Sequence, residues 1–144
     1  MDALELLKQD HAKVKELFEE AESADQNEQK AIFNRIKTEL EIHTQIEESV
    51  FYPAMQRFNE LKEMVRESLE EHNNVKTLLN EMANLSGGEE FDDKLEELID
   101  NVEHHAEDEE EGKMFPKVRE LVSAAELEKL GSRLQAAKGQ RKAS

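Results

Sequence analysis

The chain has 144 residues, no cysteine, no tryptophan and a formal net charge of −16, from 35 acidic and 19 basic residues. That length suits one domain, and the lack of cysteine excludes disulfides, thiolate metal sites and thiol nucleophiles. So negative a surface repels phosphate groups, and neither nucleic acid nor a membrane is an expected partner. The N-terminus has no basic segment followed by an apolar one, so we expect a soluble cytoplasmic protein.

The composition favours helices throughout the chain. Helix-forming residues are abundant, whereas only five glycines and two prolines are present, which is typical of a nearly all-α protein. We expect a four-helix bundle in residues 1–122, followed in 123–144 by a short helix and a frayed basic tail. Apolar residues at helical spacing predict helices over about 2–24, 28–58, 61–85, 89–122 and 124–137.

Residues that start, bend or stop a helix support these boundaries. Asp2 with Glu5 forms the pair that caps a helix N-terminus. The two glycines at 87–88 end the third helix, because glycine readily adopts the positive φ usual just after a helix. Pro53 lacks an N–H group, so it predicts a kink in the second helix.

Apolar residues at helical spacing form a stripe along one face of each helix. In two helices the stripe continues with a histidine and a glutamate that lie one helical turn apart. His11 and His72 lie in the middle of the stripes of the first and third helices. Burying imidazoles and carboxylates is costly unless a positive group compensates them, and a metal ion is the simplest such group. The two stripes, related by a shift of 62 residues, are Ile36, Leu40, His43 and Glu47, and then Leu98, Val102, His105 and Glu109.

The fourth helix leaves two assignments open. His104 could replace His105 as the inward histidine, although only His105 stays in phase with the apolar stripe. Glu110 competes in the same way with Glu109, because it aligns with Glu47 when residues are counted back from the following proline. The stripe favours His105 and Glu109.

The chain also contains an internal repeat. Two helical hairpins related by a pseudo-two-fold axis form an antiparallel up-down four-helix bundle, and the core of such a bundle can hold a metal site. The separation between matching residues of the two repeats increases from 61 to 63 along the chain, and this increase predicts a π-bulge near residues 110–112. The matching pairs are Asp10-His11 with Glu71-His72 at 61, His43 with His105 at 62, and Tyr52-Pro53 with Phe115-Pro116 at 63.

The number and type of candidate ligands predict two metal ions. Four imidazoles and two carboxylates exceed the four positions of a tetrahedral zinc site, but they suit two ions bridged by both carboxylates. Nitrogen and oxygen ligands without thiolate favour iron or manganese, with zinc able to substitute. The ferritin-like di-iron pattern needs a glutamate three residues before a histidine on two helices. This chain lacks that pattern, so the ferritin-like family is excluded.

These residues resemble the hemerythrin-like, His-His-Glu cation-binding family over roughly residues 4–122. The matching segments are His11, H-T-Q-I-E at 43–47 followed by F-Y-P, E-H-N-N-V around His72, and H-H-A-E-D-E-E-E-G-K-M-F-P in the fourth helix. The resemblance implies a non-haem di-iron centre with an oxo or hydroxo bridge. It assigns His11 and His43 to one iron, His72 and His105 to the other, and Glu47 and Glu109 to both as bridges.

One position departs from the oxygen-carrying members of that family. Those members have a further histidine one turn after the third, where this chain has Lys76. The resemblance therefore favours iron-sensing domains and di-iron proteins of nitrosative stress over reversible oxygen carriers. We expect a protein that binds or senses O₂, NO or iron. The alternative is a di-iron enzyme acting on peroxide, O₂ or NO, of the peroxidase, NO reductase or iron–sulfur repair type.

Overall fold

The computed structural model describes residues 1–143, nearly all of which are helical. No strand occurs in these residues, so the all-α prediction is confirmed. Short turns join the first four helices into an antiparallel up-down bundle, and a fifth helix packs against it. No helix of the described part combines the length and apolarity needed to cross a bilayer. The helices are α1 (Ala3–Ser23), α2 (26–55), α3 (Asn59–Ala83), α4 (89–121) and α5 (Ala124–Ala143).

Helices α2 and α4 each contain a π-helical stretch. The π-helix of α2 is Glu47–Phe51, between the α-helices Gln26–Ile46 and Tyr52–Met55. The sequence predicted the wider turn in α4 and missed the one in α2, where Pro53 lies in the first turn of the last part. Helix α4 has the same three-part build, with the π-helix His104–Met114 between the α-helices Glu89–Glu103 and Phe115–Leu121.

The predicted helix ends have the expected local chemistry. Asp2 and Glu5 form a complete capping box at the start of α1, each side chain accepting a hydrogen bond from the other residue's backbone N–H. Gly87 and Gly88, between α3 and α4, have φ angles of +115° and +94°. A side chain is strained in that region, so these positions require glycine.

Two apolar clusters fill the interior, one at each end of the bundle. One contains the start of α1, the end of α4 and the inner face of α5, with Leu4, Phe115 and Leu130 among its members. The other contains the far half of α1 and the first parts of α2 and α4, including Phe18 and Phe33. The predicted metal-binding histidines lie in the layer between the two clusters.

Helix α5 is an integral part of the first cluster. Its buried residues Leu127, Leu130 and Leu134 pack there, and Gly131 lies directly on the N-terminus of α1. The helix also continues to Ala143, so the prediction that it ends near residue 137 and frays beyond is wrong for 138–143. Ser144 lies outside the described residues.

Candidate metal centre

Each helix of the bundle contributes one histidine to the middle layer. His43, His72 and His105 are buried, and the His11 side chain is 9% exposed. The rings form two similar pairs: the centroids of His11 and His43 are 5.0 Å apart, and those of His72 and His105 are 4.8 Å apart, both with an interplanar angle of 68°. The two pairs are equivalent under the internal repeat, and each belongs to one helical hairpin.

Two fully buried glutamates lie between the pairs. Glu47 Oε1 is 3.2 Å from Nε2 of His43 and 3.0 Å from Nε2 of His72. Glu110 Oε1 is 3.1 Å from Nε2 of His11, and its Oε2 is 3.5 Å from Nε2 of His105. Each carboxylate therefore reaches both histidine pairs, as a bridging ligand of two metal ions must. We call these six residues the inner cluster.

The predicted inward position of Glu109 is wrong, because Glu110 occupies it. Glu109 is partly buried outside the inner cluster, and its carboxylate faces His104 and Lys113. The reason is the π-helix, in which residues five apart, rather than four, follow one another on one face. His105 and Glu110 are five apart within that segment. His43 and Glu47 are four apart, because the N–H of Glu47 still donates to the carbonyl of His43 at the point where the π-helix of α2 begins.

The two inward glutamates have the same place relative to a proline. The N–H of Tyr52, just before Pro53, donates to the carbonyl of Glu47, and the N–H of Phe115, just before the second proline, donates to that of Glu110. Both bonds span five residues and define the wide turn. The residue inserted into the repeat therefore lies between His105 and Glu110, upstream of the position that the sequence predicted.

A ring of carboxylates outside the inner cluster fixes the imidazoles. Each histidine directs Nδ1 to one of these carboxylates, and an ionised carboxylate only accepts, so Nδ1 carries the proton and Nε2 faces the centre. Such outer partners orient metal-binding histidines and increase their basicity. The pairs are His11 with Glu111 at 2.7 Å, His43 with Asp10 at 2.9 Å, His72 with Glu48 at 2.8 Å and His105 with Glu71 at 2.6 Å.

Sequence reasoning assigned no role to these outer carboxylates, although a signal was present. Asp10 and Glu71 directly precede a histidine of the inner cluster, and Glu48 and Glu111 directly follow its glutamates. All four positions obey the internal repeat. Acidic doublets and Asp-His or Glu-His pairs at repeat-related positions therefore indicate such outer carboxylates. Of two adjacent helical residues, one can enter the inner cluster while the other contacts a histidine from outside it.

Charges inside the layer shift its pKa values strongly. Burial alone would lower the pKa of His43, but the charge of Glu47 and the hydrogen bond to Asp10 outweigh burial and raise it to about 10. Burial likewise opposes the charged form of Glu47, yet the surrounding imidazoles hold its pKa well below the ordinary value. Without metal, protonated imidazoles compensate the buried carboxylates, so metal ions and protons compete for the same nitrogen atoms.

Tyr52 makes the two halves of the centre unequal. Its hydroxyl group donates to Glu110 Oε2 and lies 3.3 Å from Nε2 of His72 and 3.4 Å from that of His105. Burial and the charge of Glu110 raise the pKa of Tyr52 well above its usual value, so the phenol is protonated. The equivalent residue of the second half is Phe115, which stacks on His11 and has no hydroxyl group.

Lys76 extends away from the inner cluster. Its Nζ is 3.0 and 2.8 Å from the two carboxylate oxygens of Glu48, and its side chain is 42% exposed. Lys76 therefore supplies no ligand atom to the centre. It acts on the centre only through Glu48, which holds the ring of His72.

The unpaired atoms of the inner cluster fit a metal site. Nε2 of His43 and Oε2 of Glu47 are buried and have no hydrogen-bond partner. Nε2 of His43 lies 3.2 Å from Oε1 of Glu47, but the two groups are not oriented to form a hydrogen bond. Ligand atoms of His11, His43, Glu47 and Glu110 all lie within 4.8 Å of one another, as do those of Glu47, His72 and His105. Unpaired buried nitrogen and oxygen atoms that converge in this way are what a cation would satisfy.

A small cavity adjoins the imidazoles. Its volume is about 20 Å³, which holds one molecule about the size of water. Glu47, Glu110 and Tyr52 are not part of its wall. Besides the four histidines, Asp10 and Thr44, the wall consists of Val14, Leu40, Val75, Val102 and Ala106.

An antiparallel four-helix bundle with histidines and shared carboxylates in its core defines a class of metal-binding helical proteins. Within that class, the chain belongs to the hemerythrin HHE cation-binding domain family, which it matches over residues 2–118. The protein is therefore a hemerythrin-like, metal-binding helical bundle.

Two relatives extend this comparison. A crystal structure of a hemerythrin HHE cation-binding domain-containing protein from Mycobacterium kansasii is 30% identical, has a TM-score of 0.87, and is matched over 99% of this chain and 88% of that one. A protein of Nostoc sp. described as a DNA nickase is 30% identical over 140 residues, which cover 96% of this chain. The chain spans only 39% of the length of that relative, and the nickase description refers to the longer protein.

Proposed function

We propose that the inner cluster binds two iron ions. His11 and His43 hold one ion, His72 and His105 hold the other, and the two buried glutamates bridge them. The support for two ions is the shape of the cluster: two histidine pairs, with Glu110 extending one oxygen to each pair. A tetrahedral ion such as zinc has four positions and could not use all four Nε2 atoms and both carboxylates.

Iron is the metal that the ligand set favours most. The ligands are imidazole nitrogens and carboxylate oxygens, with the Tyr52 hydroxyl as a further oxygen near the second pair. This combination suits iron or manganese, and zinc can substitute. An oxo or hydroxo bridge would complete the centre. Bound iron supplies reversible redox chemistry and an open position for a small ligand.

The cavity supports O₂ or NO as that ligand, and it is the observation that carries this part of the proposal. Its volume of about 20 Å³ admits only a very small molecule, and its wall contains few polar atoms apart from the imidazoles. A diatomic gas loses little by leaving water for such a site, whereas peroxide would lose hydrogen bonds there. Because Lys76 supplies no imidazole, we expect sensing or irreversible reaction rather than repeated oxygen carriage.

The test is metal analysis combined with optical spectroscopy. Reconstituted protein should contain about two irons per chain, and the reduced form should change its spectrum on adding NO or O₂. Ala106→Ile fills the cavity without removing a ligand, so it should slow gas binding and leave the iron content unchanged. Thr44→Val, at the repeat-related position, keeps the wall volume and serves as the control. One iron or fewer per chain after full reconstitution would contradict the two-ion proposal.

A second candidate function is an enzyme acting on peroxide, O₂ or NO. The observation in its favour is the phenol of Tyr52, a protonated O–H group in contact with the inner cluster. Such a group can donate a proton to a bound oxygen species. Tyr52→Phe reproduces the repeat-related residue, so it is a mild change. Loss of peroxide decomposition with retained iron and retained NO binding would favour the enzyme.

The negative surface makes nucleic acid and anionic membranes poor partners, so we propose O₂, NO or peroxide as the partner of this domain. A cytoplasmic location stays a prediction.

A further inference from the structure

The π-helix of α4 presents a second histidine–glutamate pair next to the inner one. His105 and Glu110 point inward, and His104 and Glu109, also five residues apart, lie together at the surface. Glu71 of α3 lies between the two pairs: its Oε1 is 2.6 Å from Nδ1 of His105, and its Oε2 is 3.5 Å from Nε2 of His104. We call Glu71, His104 and Glu109 the outer group.

We propose that the outer group binds a divalent first-row metal ion. Nε2 of His104 lies 3.5 Å from one oxygen of Glu71 and 3.5 Å from one oxygen of Glu109. These separations are long for hydrogen bonds. They are close to the spacing of ligands that share one ion, which is about 3.0 Å for octahedral and about 3.4 Å for tetrahedral geometry with bonds near 2.1 Å.

The hydrogen bonding of His104 supports this assignment. Its Nδ1 is 3.1 Å from Asp108 Oδ2, so Nδ1–H donates to that carboxylate and the lone pair of Nε2 faces the outer group. Metal-binding histidines are usually oriented by such a carboxylate on the other ring nitrogen. Nε2 of His104 faces two carboxylate oxygens, an arrangement that needs a positive charge, either a proton on Nε2 or a metal ion among the three side chains.

The internal repeat supplies an independent comparison. Asp10, the equivalent of Glu71, also holds an inner histidine with one oxygen, and its other oxygen pairs with the ammonium group of Lys138. In the second half, His104 and Glu109 lie next to Glu71. In the first half, the positions equivalent to His104 and Glu109 are occupied by Ile42 and Ile46. A bound metal ion would thus supply in one half the positive charge that a lysine supplies in the other.

The outer group has the chemistry of a site for exchangeable metal. One nitrogen and two oxygen ligands without sulfur suit Fe²⁺, Mn²⁺ or Zn²⁺. The His104 side chain is 54% exposed, so water can complete the coordination and the ion can leave. Because Glu71 touches both groups, we assign the outer site a role in receiving iron for the inner cluster. That role rests on the proposed di-iron centre, whereas metal binding by the outer group does not.

Mn²⁺ titration of iron-reconstituted protein tests the binding, with free Mn²⁺ followed by its electron paramagnetic resonance signal. The unmodified protein should bind one Mn²⁺ per chain in a saturable manner, and His104→Ala and Glu109→Gln should remove this binding. Asp108→Asn should weaken it about tenfold. Lys113→Met should strengthen it, because the Lys113 ammonium lies 3.3 Å from Glu109 Oε1 and competes with the metal.

The control is Glu107→Gln, which removes one negative charge from the same helix at a residue paired with Lys15. Equal affinity in the unmodified protein, His104→Ala and Glu107→Gln would overturn the proposal, because the ion would then be held by the acidic surface in general. Dialysis removes exchangeable iron before the titration, so the iron content of the dialysed protein reports on the inner cluster and the Mn²⁺ titration reports on the outer group. The two proposals therefore fail separately.

Iron uptake by metal-free protein tests the receiving role. His104→Ala should slow the appearance of the iron absorption bands severalfold, while the final iron content remains that of the unmodified protein. An unchanged rate in a variant that has lost Mn²⁺ binding would refute the role and leave the site itself standing.

Discussion

Lys138 and Asp10 connect the C-terminal helix to the metal-binding layer. The Lys138 ammonium pairs with one oxygen of Asp10, and Nδ1–H of His43 donates to the other. Both members of the ion pair are largely buried, with side-chain exposures of 16% and 5%. The fifth helix thus determines the setting of one inner histidine as well as covering an apolar surface.

Replacing Lys138 should therefore destabilise the fold. Lys138→Met leaves Asp10 buried with His43 as its remaining partner, and the expected loss is about 2 kcal/mol in the free energy of unfolding. Urea denaturation of the metal-free protein measures it. Lys129→Met removes the same charge from an exposed position of α5 and should change stability little. Equal effects of the two variants would show that the Asp10 contact is not stabilising.

The position of the glutamates in α4 predicts opposite outcomes for two neighbouring substitutions. Glu110→Ala removes a carboxylate that contacts His11 and Tyr52 at the centre, so it should reduce the iron content below two per chain. Glu109→Ala changes the outer group and leaves the inner cluster intact, so both irons of the inner cluster should be retained. Elemental analysis after identical reconstitution distinguishes them. Iron loss in Glu109→Ala alone would mean that α4 has the register expected from regular α-helical spacing.

The metal-free protein should become less stable as pH rises above neutrality. The pKa of His43 is raised from 6.5 to about 10, so the stability provided by its protonated form is complete below pH 6.5 and is lost on approaching pH 10. The pKa values of Asp10, Glu48 and Glu111 are lowered, so their contribution is present above about pH 4.5 and is lost in more acidic solution.

Thermal melting between pH 5 and 9, with and without metal, measures this dependence. The metal-free protein should have its highest melting temperature at about pH 5 to 6. The gap between the two forms should be wide at pH 8 and narrow at pH 6, because protonated imidazoles replace the metal charge. The narrowing does not come from protonation of Glu47, because the pKa of that carboxyl lies well below its ordinary value and the group stays ionised at pH 6. A gap independent of pH would contradict this account.

Two glycines of α5 provide a matched pair for testing how that helix docks. A Cβ atom at Gly131 would lie 2.3 Å from the carbonyl oxygen of Met1, whereas one at Gly139 would meet nothing within 4 Å. Gly131→Ala should lower the free energy of unfolding by roughly 1–3 kcal/mol through overpacking. Gly139→Ala should raise it by up to about 1 kcal/mol through helix propensity. Stabilisation by both substitutions would show that α5 does not pack on α1.

The sequence predicted most of the fold because apolar spacing and cap residues act locally. It also placed five of the six inner residues, since regular α-helix surrounds or precedes each of them. Glu109 was preferred over Glu110 because a π-helix breaks the phase on which the stripe depends, and every residue from 107 to 111 is acidic. Counting from the proline gives the correct residue, because the proline follows the wide turn in both halves.

Other features depend on long-range contacts that no local pattern encodes. The end of α5 is polar, and its sequence predicts a frayed tail. In the structure, however, Lys138 pairs with Asp10, a residue 128 positions earlier in the chain. Tyr52 likewise reaches Glu110 in the other hairpin. Such pairings arise only when the bundle brings distant helices together, so they could not be read from spacing.

The reciprocal placement of the buried glutamates has a consequence for the lifetime of bound metal. The hairpin α1–α2 supplies His11 and His43 but receives Glu110, and the hairpin α3–α4 supplies His72 and His105 but receives Glu47. An ion bound at either pair would thus cross-link the two hairpins, which neither hairpin can do alone. Dissociation of that ion would then require the hairpins to part, so its residence time would depend on the opening of the bundle rather than on the exchange of any single ligand.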